Sequence, residues 1–358
     1  MRALKRISLD DYEIVFDEEL SFLSEFLNEK KYSEIIILAD SNTAELCYPK
    51  LIQNIPALAS APMIVTPAGE ANKNLSACEE IWAKMLKVNA DRKSVVLNLG
   101  GGVIGDMGGF VAACYKRGID FIQLPTTVLS QVDSSIGGKL GVDFRYGKNL
   151  IGVFKNPVLV VMSTIWFETL EHRQVVNGFA EIYKHALIQS PKQWEDLSKD
   201  LTIPPSNFYE ILHDSLLVKK SVVEEDPFEK GWRKILNFGH TIGHAVEAYS
   251  LENDQEPLLH GEAIATGMLM EAYIGTLTSN FSNDDLHQIE KLLLAQYGHY
   301  FIPNGIEESL WNSMKLDKKN AGAKVMSVVL KSIGQPDIDV EITSDLLQKA
   351  LVYYRNLA

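Results

Sequence analysis

Five short runs rich in Ile, Val and Leu punctuate the first half of the chain: EIIILA at 34–39, PMIVT at 62–66, SVVLNL at 94–99, DFIQL at 120–124 and VLVVM at 158–162. Each has the length and β-branched content of a strand. Between them lie amphipathic stretches such as NLSACEEIWAKMLKV at 74–88. Strands that alternate with helices pair in parallel, and a parallel sheet needs both faces covered. Beyond about residue 170 the strand signals nearly vanish and helical periodicity takes over.

Gly100-Gly101-Gly102-Val103-Ile104-Gly105-Asp106 follows SVVLNL directly and matches G-x-G-x-x-G at 100, 102 and 105. Glycines after a strand let the backbone approach a pyrophosphate, and the next helix start offers free N–H groups. The alternative is a tight strand-to-helix turn that binds nothing. The strand–loop–helix context favours a nucleotide, although the motif follows earlier α/β units rather than the first strand. Asp40, at the end of EIIILA, can accept from ribose hydroxyls or close a local Asx turn. The expected fold is therefore an α/β N-terminal Rossmann-like nucleotide-binding domain with a mostly parallel sheet, over residues 1–170. An all-α C-terminal metal- and substrate-binding domain follows over 171–358.

In the second half, Glu229, Arg233, Asn237, His240 and His244 recur at intervals of three or four. On a helix that spacing makes one polar line along a segment otherwise apolar enough to be buried. A solvated face is the bland alternative, but such faces carry Lys and Glu rather than Asn and paired His. His240-x-x-x-His244 has metal-pair spacing, His260-Gly-Glu follows, and Glu181 can add an oxygen ligand. Spacing leaves open which of these histidines, or His185, binds an ion. Residues 125–149 combine hydroxyls, glycines and the lysines Lys139 and Lys148. Gly137-Gly138-Lys139 lacks Walker A spacing, which argues against an ATPase, yet the segment suits a phosphate on a small substrate.

The formal net charge of -13 argues against nucleic acid, and no apolar run reaches membrane-spanning length. The N-terminus has no signal-peptide pattern, and Cys47, Cys78 and Cys114 lack metal or disulfide spacing, so a reducing cytoplasm is expected. A small anionic substrate needs only a local concentration of cations.

GGGVIGD, PTTVLSQVDSSIGGK, KNLIGVF, FAEIYKH, RKILNFGHTIGHA and LHGE occur in that order between about Asp40 and about Lys319. Together they resemble the 3-dehydroquinate synthases of the sugar-phosphate cyclase family. The resemblance implies NAD and a divalent metal, zinc or cobalt, held by Glu181, His240 and His260. It matches Asp40, Asn42, Glu70, Lys73, Gly101, Gly102, Asp106, Thr126, Thr127, Lys139 and Thr169 to NAD-contacting positions. Asp133, Lys139, Lys148, Asn149, Lys184, Lys219, Glu229, Arg233, Asn237 and His244 match substrate positions. Arg117 matches a residue donated across a homodimer interface, and Lys318 or Lys319 approaches phosphate. The implied substrate is 3-deoxy-D-arabino-heptulosonate 7-phosphate. Its ring alcohol is transiently oxidised, phosphate is eliminated, the hydride returns, and the opened ring recloses by an aldol step. Arg233 and Lys219 suit the carboxylate, with Lys139, Lys148, Asn149, Asn237 and His244 near the phosphate. The chain reads GGKLGVD where the family commonly has GGKTGVN, with Leu140 and Asp143 as the departures. A sister cyclase acting on a substrate without the carboxylate, a metal-dependent polyol dehydrogenase and a nucleotide-binding sensor are the rival readings.

Overall fold

All five Ile- and Val-rich runs become strands of one sheet. The computed structural model describes residues 5–9, 11–145, 147–317 and 324–357. By their internal contacts these form two units, Met1–Glu171 and His172–Ala358.

In the first unit, β1 (Arg6–Ser8), β2 (Glu13–Phe16), β3 (Ile35–Asp40), β4 (Met63–Thr66), β5 (Val95–Gly100), β6 (Asp120–Pro125) and β9 (Leu159–Met162) make a seven-stranded sheet. The strand order is β1-β2-β9-β6-β5-β3-β4, parallel except for the β1–β2 pair. Alternate residues bury on opposite faces. Ile36, Leu38, Val96 and Phe121 join one apolar cluster, while Ile37, Val95, Leu97, Leu99 and Ile122 join the other. This two-sided burial explains why the runs are continuously apolar. β7 (Lys139–Phe144) and β8 (Gly147–Phe154) add a separate antiparallel hairpin, which was not among the expected strands. Leu140, one of the two departures in this segment, is buried in the first cluster against Gly109.

The second unit is mainly helical. The helices that matter below are His172–Gln189, Phe208–Glu225, His240–Asn253 and His260–Thr278. One antiparallel hairpin, β10 (Val325–Ser332) with β11 (Gln335–Ile342), turns at Gly334, whose φ is +82°. No helix among the described residues is long and apolar enough to cross a membrane. The single helix expected through Glu229–His244 is not formed. Trp232–Asn237 is a short 3₁₀ turn, Gly239 has φ +79°, and the α-helix begins at His240. Left-handed residues at Glu229 and Gly239 break the segment, so a turn rather than helical periodicity brings Asn237 to Glu229.

Candidate active site

In the first unit the topology gathers the glycine loop and its companions at one edge. β3 lies between β4 and β5, so the chain order reverses between β3 and β5. The C-terminal ends of such neighbouring strands open a crevice for a ligand. Asp40 ends β3, Gly100 ends β5, and Gly100 pairs with Pro125 at the end of β6. Gly101 precedes the helix Gly102–Cys114. A Cβ at Gly101 would sit 3.3 Å from Thr127 Cγ2, and one at Gly108 would sit 2.1 Å from Asn98 Oδ1. The glycines thus give both an open loop and close helix–sheet packing.

Around this edge Lys73 is buried, and its Nζ lies 2.7 Å from Asp106 Oδ2 and 2.6 Å from Asn149 Oδ1. Burial works against the Lys73 ammonium, but Asp106, Glu70 and Asp143 outweigh it and raise its pKa. Asp143, the second departure, accepts the Asn149 N–H at 2.7 Å, and its own N–H donates to Lys73 O at 2.8 Å. Asp40 Oδ1 caps the following short helix by accepting from Asn42 N and Thr43 N, both at 2.9 Å. The Asx-type local role therefore exists, with Asn42 exposed beside it. Thr126 donates its N–H to Gly100 O at 3.0 Å, and Thr127 Oγ1 bonds Ser130 Oγ at 2.9 Å. Asp133 lies in the π-helical turn Ser130–Ser134; Lys139 and Lys148 are exposed on the hairpin. Thr169 Oγ1 donates to Trp166 O at 3.4 Å. Arg117 is exposed in a turn with φ +70°.

The second unit carries a carboxylate–imidazole cluster. Glu181 lies in the middle of the helix His172–Gln189, wholly buried, and neither of its carboxylate oxygens accepts a hydrogen bond. Lys184 Nζ contacts Oε2 one turn away. His240 Nε2 and His260 Nε2 lie 3.6 and 3.8 Å from the same oxygen, Oε1. Those gaps are too long for hydrogen bonds. Tetrahedral coordination with bonds of about 2.1 Å sets donor atoms about 3.4 Å apart, so the three groups fit around one ion after small movements. The far nitrogens are already held: His240 Nδ1 is 3.1 Å from Phe238 O, and His260 Nδ1 is 3.4 Å from Glu247 Oε2. Fixing Nδ1 in this way aims Nε2 at the ligand position. His244 follows one turn after His240, and its ring nitrogens reach within 4.8 Å of the other two imidazoles. His185 instead has its Nδ1 2.8 Å from Ser215 Oγ.

The Glu181 carboxylate is anionic and is shared by the cationic and imidazole groups around it. Burial pushes Glu181 up, but Lys184 and the two histidines hold it well below the usual carboxylate range. Burial and the Lys184 charge push His240 well down, so it is neutral. Burial also opposes charge on His260, but Glu181 and Glu247 outweigh it and raise its pKa to about 9.

The same unit buries three cationic side chains. Lys184, Lys219 and Arg233 are 1%, 3% and 2% exposed, which is rare for such side chains without anionic company. Arg233 is fixed by Asp226, which accepts the N–H groups of Lys230, Gly231 and Arg233, and by its own NH1 donating to Pro227 O at 2.6 Å. Asn237 Nδ2 donates to Glu229 Oε1 at 2.9 Å. Lys318 and Lys319 lie outside the described residues.

Sequence reasoning missed Glu247, Asn177 and Glu271. Glu247 falls three residues after His244 on the same helical stripe, a signal that was available. Asn177 Oδ1 accepts the Gly261 N–H at 2.6 Å, beside His260. Glu271 carried no local motif.

A glycine-loop α/β unit joined to a helical unit with a carboxylate and two aimed imidazoles defines a class of nucleotide- and metal-dependent two-unit enzymes. Comparison with known proteins narrows it. The family model for the 3-dehydroquinate synthase N-terminal region matches residues 63–177, and that for its C-terminal region matches 178–320. A 3-dehydroquinate synthase of Parabacteroides distasonis is 37% identical over 97% of this chain and 99% of its own. Among solved structures, a 2-deoxy-scyllo-inosose synthase complexed with carbaglucose-6-phosphate, NAD+ and Co2+ has a TM-score of 0.85 at 26% identity, covering 99% of both chains. A 2-epi-5-epi-valiolone synthase from Streptomyces hygroscopicus, with NAD+ and Zn2+ bound, also has a TM-score of 0.85, covering 100% of this chain and 99% of that one; at 22% identity it bears on the fold alone. The chain belongs to the 3-dehydroquinate synthase family.

Proposed function

We infer that this chain is a 3-dehydroquinate synthase, converting 3-deoxy-D-arabino-heptulosonate 7-phosphate to 3-dehydroquinate and phosphate with catalytic NAD and a divalent cation. The observation that carries the reading is the buried Glu181 carboxylate, without a hydrogen bond, faced by His240 and His260 Nε2. It occurs in a chain 37% identical to a curated enzyme of that name. When bound, the nicotinamide and the cation supply hydride exchange and polarisation of a substrate oxygen.

The chain's own residues are assigned as follows. Glu181, His240 and His260 hold the cation. The edge formed by Asp40, Asn42, Glu70, Lys73, Gly101, Gly102, Asp106, Thr126, Thr127, Lys139 and Thr169 receives NAD, with the glycine-loop helix start facing pyrophosphate. Lys219 and Arg233 bind the substrate carboxylate; Arg233 arrives already oriented by Asp226. Lys139, Lys148, Asn149, Asn237 and His244 serve the phosphate end, Asp133 and Glu229 engage hydroxyls, and Lys184 is a further substrate contact. Arg117 completes the site of a second copy in a homodimer, and the enzyme works in the cytoplasm on a small sugar phosphate. Buried cations for a carboxylate separate this reading from a sister cyclase, whose substrate has none.

The test is phosphate release from 3-deoxy-D-arabino-heptulosonate 7-phosphate with NAD and zinc or cobalt, with NADH absorbance followed in parallel. Phosphate released without net NADH, and lost in His260→Ala, is the expected result. Turnover only of sugar phosphates lacking the carboxylate, or net NADH from a polyol, would overturn the assignment.

A further inference from the structure

The helix His240–Asn253 opens without a cap of its own. The residue before it is Gly239, which has no side chain to offer. A helix start leaves several N–H groups without intrahelical partners. Here the acceptors come from the neighbouring helix His260–Thr278. Glu271 Oε2 accepts from Gly239 N at 2.8 Å, and Oε1 accepts from Ile242 N at 2.9 Å. Ser327 Oγ, on β10, donates to Oε2 at 2.9 Å. Glu271 is 0% exposed. A carboxylate at that depth is tolerable only with donors and favourable potential around it, and the helix start supplies both.

The two N–H groups bridged by Glu271 flank His240 in sequence. They belong to the first turn of its helix, so the carboxylate fixes both the height and the rotation of that turn. The same turn is pressed against the His260 helix by glycines. A Cβ at Gly267 would lie 1.9 Å from Gly239 O and 2.6 Å from Gly243 N, and one at Gly239 would lie 2.4 Å from Met268 Cγ. Eleven residues separate His260 from Glu271, close to three helical turns, so both occupy one face. One helix thereby presents its own imidazole and holds the segment that presents the other.

We propose that Glu271 is a positioning residue for His240, setting the Nε2-to-Glu181 geometry on which cation binding depends, with Ser327 holding the carboxylate in place. The inference rests on the reading of His240 as a ligand.

The experiment uses the full chain and Co2+ as probe. Affinity is measured by competition with a chelator, and the cobalt visible absorption bands report the coordination geometry. In Glu271→Gln one amide nitrogen must face a backbone N–H, so cobalt affinity should fall roughly 10- to 100-fold and the bands should shift. Ser327→Ala should shift both in the same direction by less. Leu347→Ala, a buried change in the C-terminal helix, serves as a comparison. It should lower the urea midpoint while leaving the cobalt spectrum unchanged. A Glu271→Gln protein with native cobalt affinity and spectrum would overturn the proposal, whatever its stability. Should that variant not fold, Glu271→Asp and Ser327→Ala decide by the same two readouts. Native cobalt binding by His240→Ala would instead sink the ligand reading beneath it.

Discussion

Replacing Gly267 with alanine tests how closely the two histidine-bearing helices must approach. The added methyl carbon would lie 1.9 Å from Gly239 O, 2.6 Å from Gly243 N and 2.9 Å from Gly239 C. All three obstacles are backbone atoms, so no side chain can swing aside. Restoring a tolerable contact requires the helices to separate by about 1 Å, in an interior packed as densely as an organic crystal. Overpacking of this kind costs about 1–3 kcal/mol, and more where backbone must move, while alanine returns about 1 kcal/mol of helix propensity. With the cost at the upper end because backbone must move, we expect a net loss of about 2 kcal/mol by urea unfolding. Cation affinity should fall as well, because Gly239 adjoins His240 and a ligand site tolerates only about 0.2 Å of error. Far-UV circular dichroism in urea and chelator competition with Co2+ measure the two effects separately. A Gly267→Ala protein within about 0.5 kcal/mol of native stability and with unchanged cobalt affinity would refute the steric argument.

Cation uptake should release a proton from His260, whose pKa is pushed up to about 9, so affinity should rise with pH until about 9 and then level; affinity independent of pH from 6 to 9 would contradict the assigned charge state. Lys184→Met should tighten cobalt binding on the order of tenfold, because a buried ammonium beside Glu181 no longer repels the ion, while phosphate release is lost; weaker cobalt binding would argue that Lys184 organises the cluster. Asp226 is held below the usual carboxylate range chiefly by the Lys230 N–H, with Gly231 and Arg233 adding to it. A depressed pKa contributes stability above the ordinary carboxylate range that disappears as pH falls through the lower folded value. Asp226→Asn should therefore flatten the acid limb of the stability profile and raise KM for the substrate, since Arg233 loses its anchor; an unchanged KM would remove Asp226 from that role.

The sheet was legible because parallel strands buried on both faces must be apolar throughout, and runs such as SVVLNL announce that. The glycine loop was legible for the same reason: strand, glycines and helix are contiguous. The β7–β8 hairpin was hidden by its composition, since Lys139, Gly141, Gly147 and Lys148 read as loop. The polar line from Glu229 to His244 was noticed, but its geometry was misread. Periodicity assumes an unbroken helix, and the left-handed Glu229 and Gly239, with a 3₁₀ turn between them, break it. Ligand choice among four histidines was equally beyond spacing. The proposed choice rests on what holds each Nδ1, such as Phe238 O and Glu247, and on where Glu181 lies in space, and neither is a local pattern. Glu271 could not be found at all from local pattern, because its partners are backbone N–H groups thirty residues away.

Lys73 has a consequence of a different kind. One ammonium grips both Asp106, at the glycine-loop helix, and Asn149, on the hairpin that carries Lys148. On the proposed assignment, with Asp106 serving the cofactor and Asn149 the phosphate, this shared tether would link the affinities of the two ligands. Whatever factor NAD occupancy applies to anion binding, the anion must return to NAD. A Lys73→Met chain should therefore bind each ligand with less regard for the other.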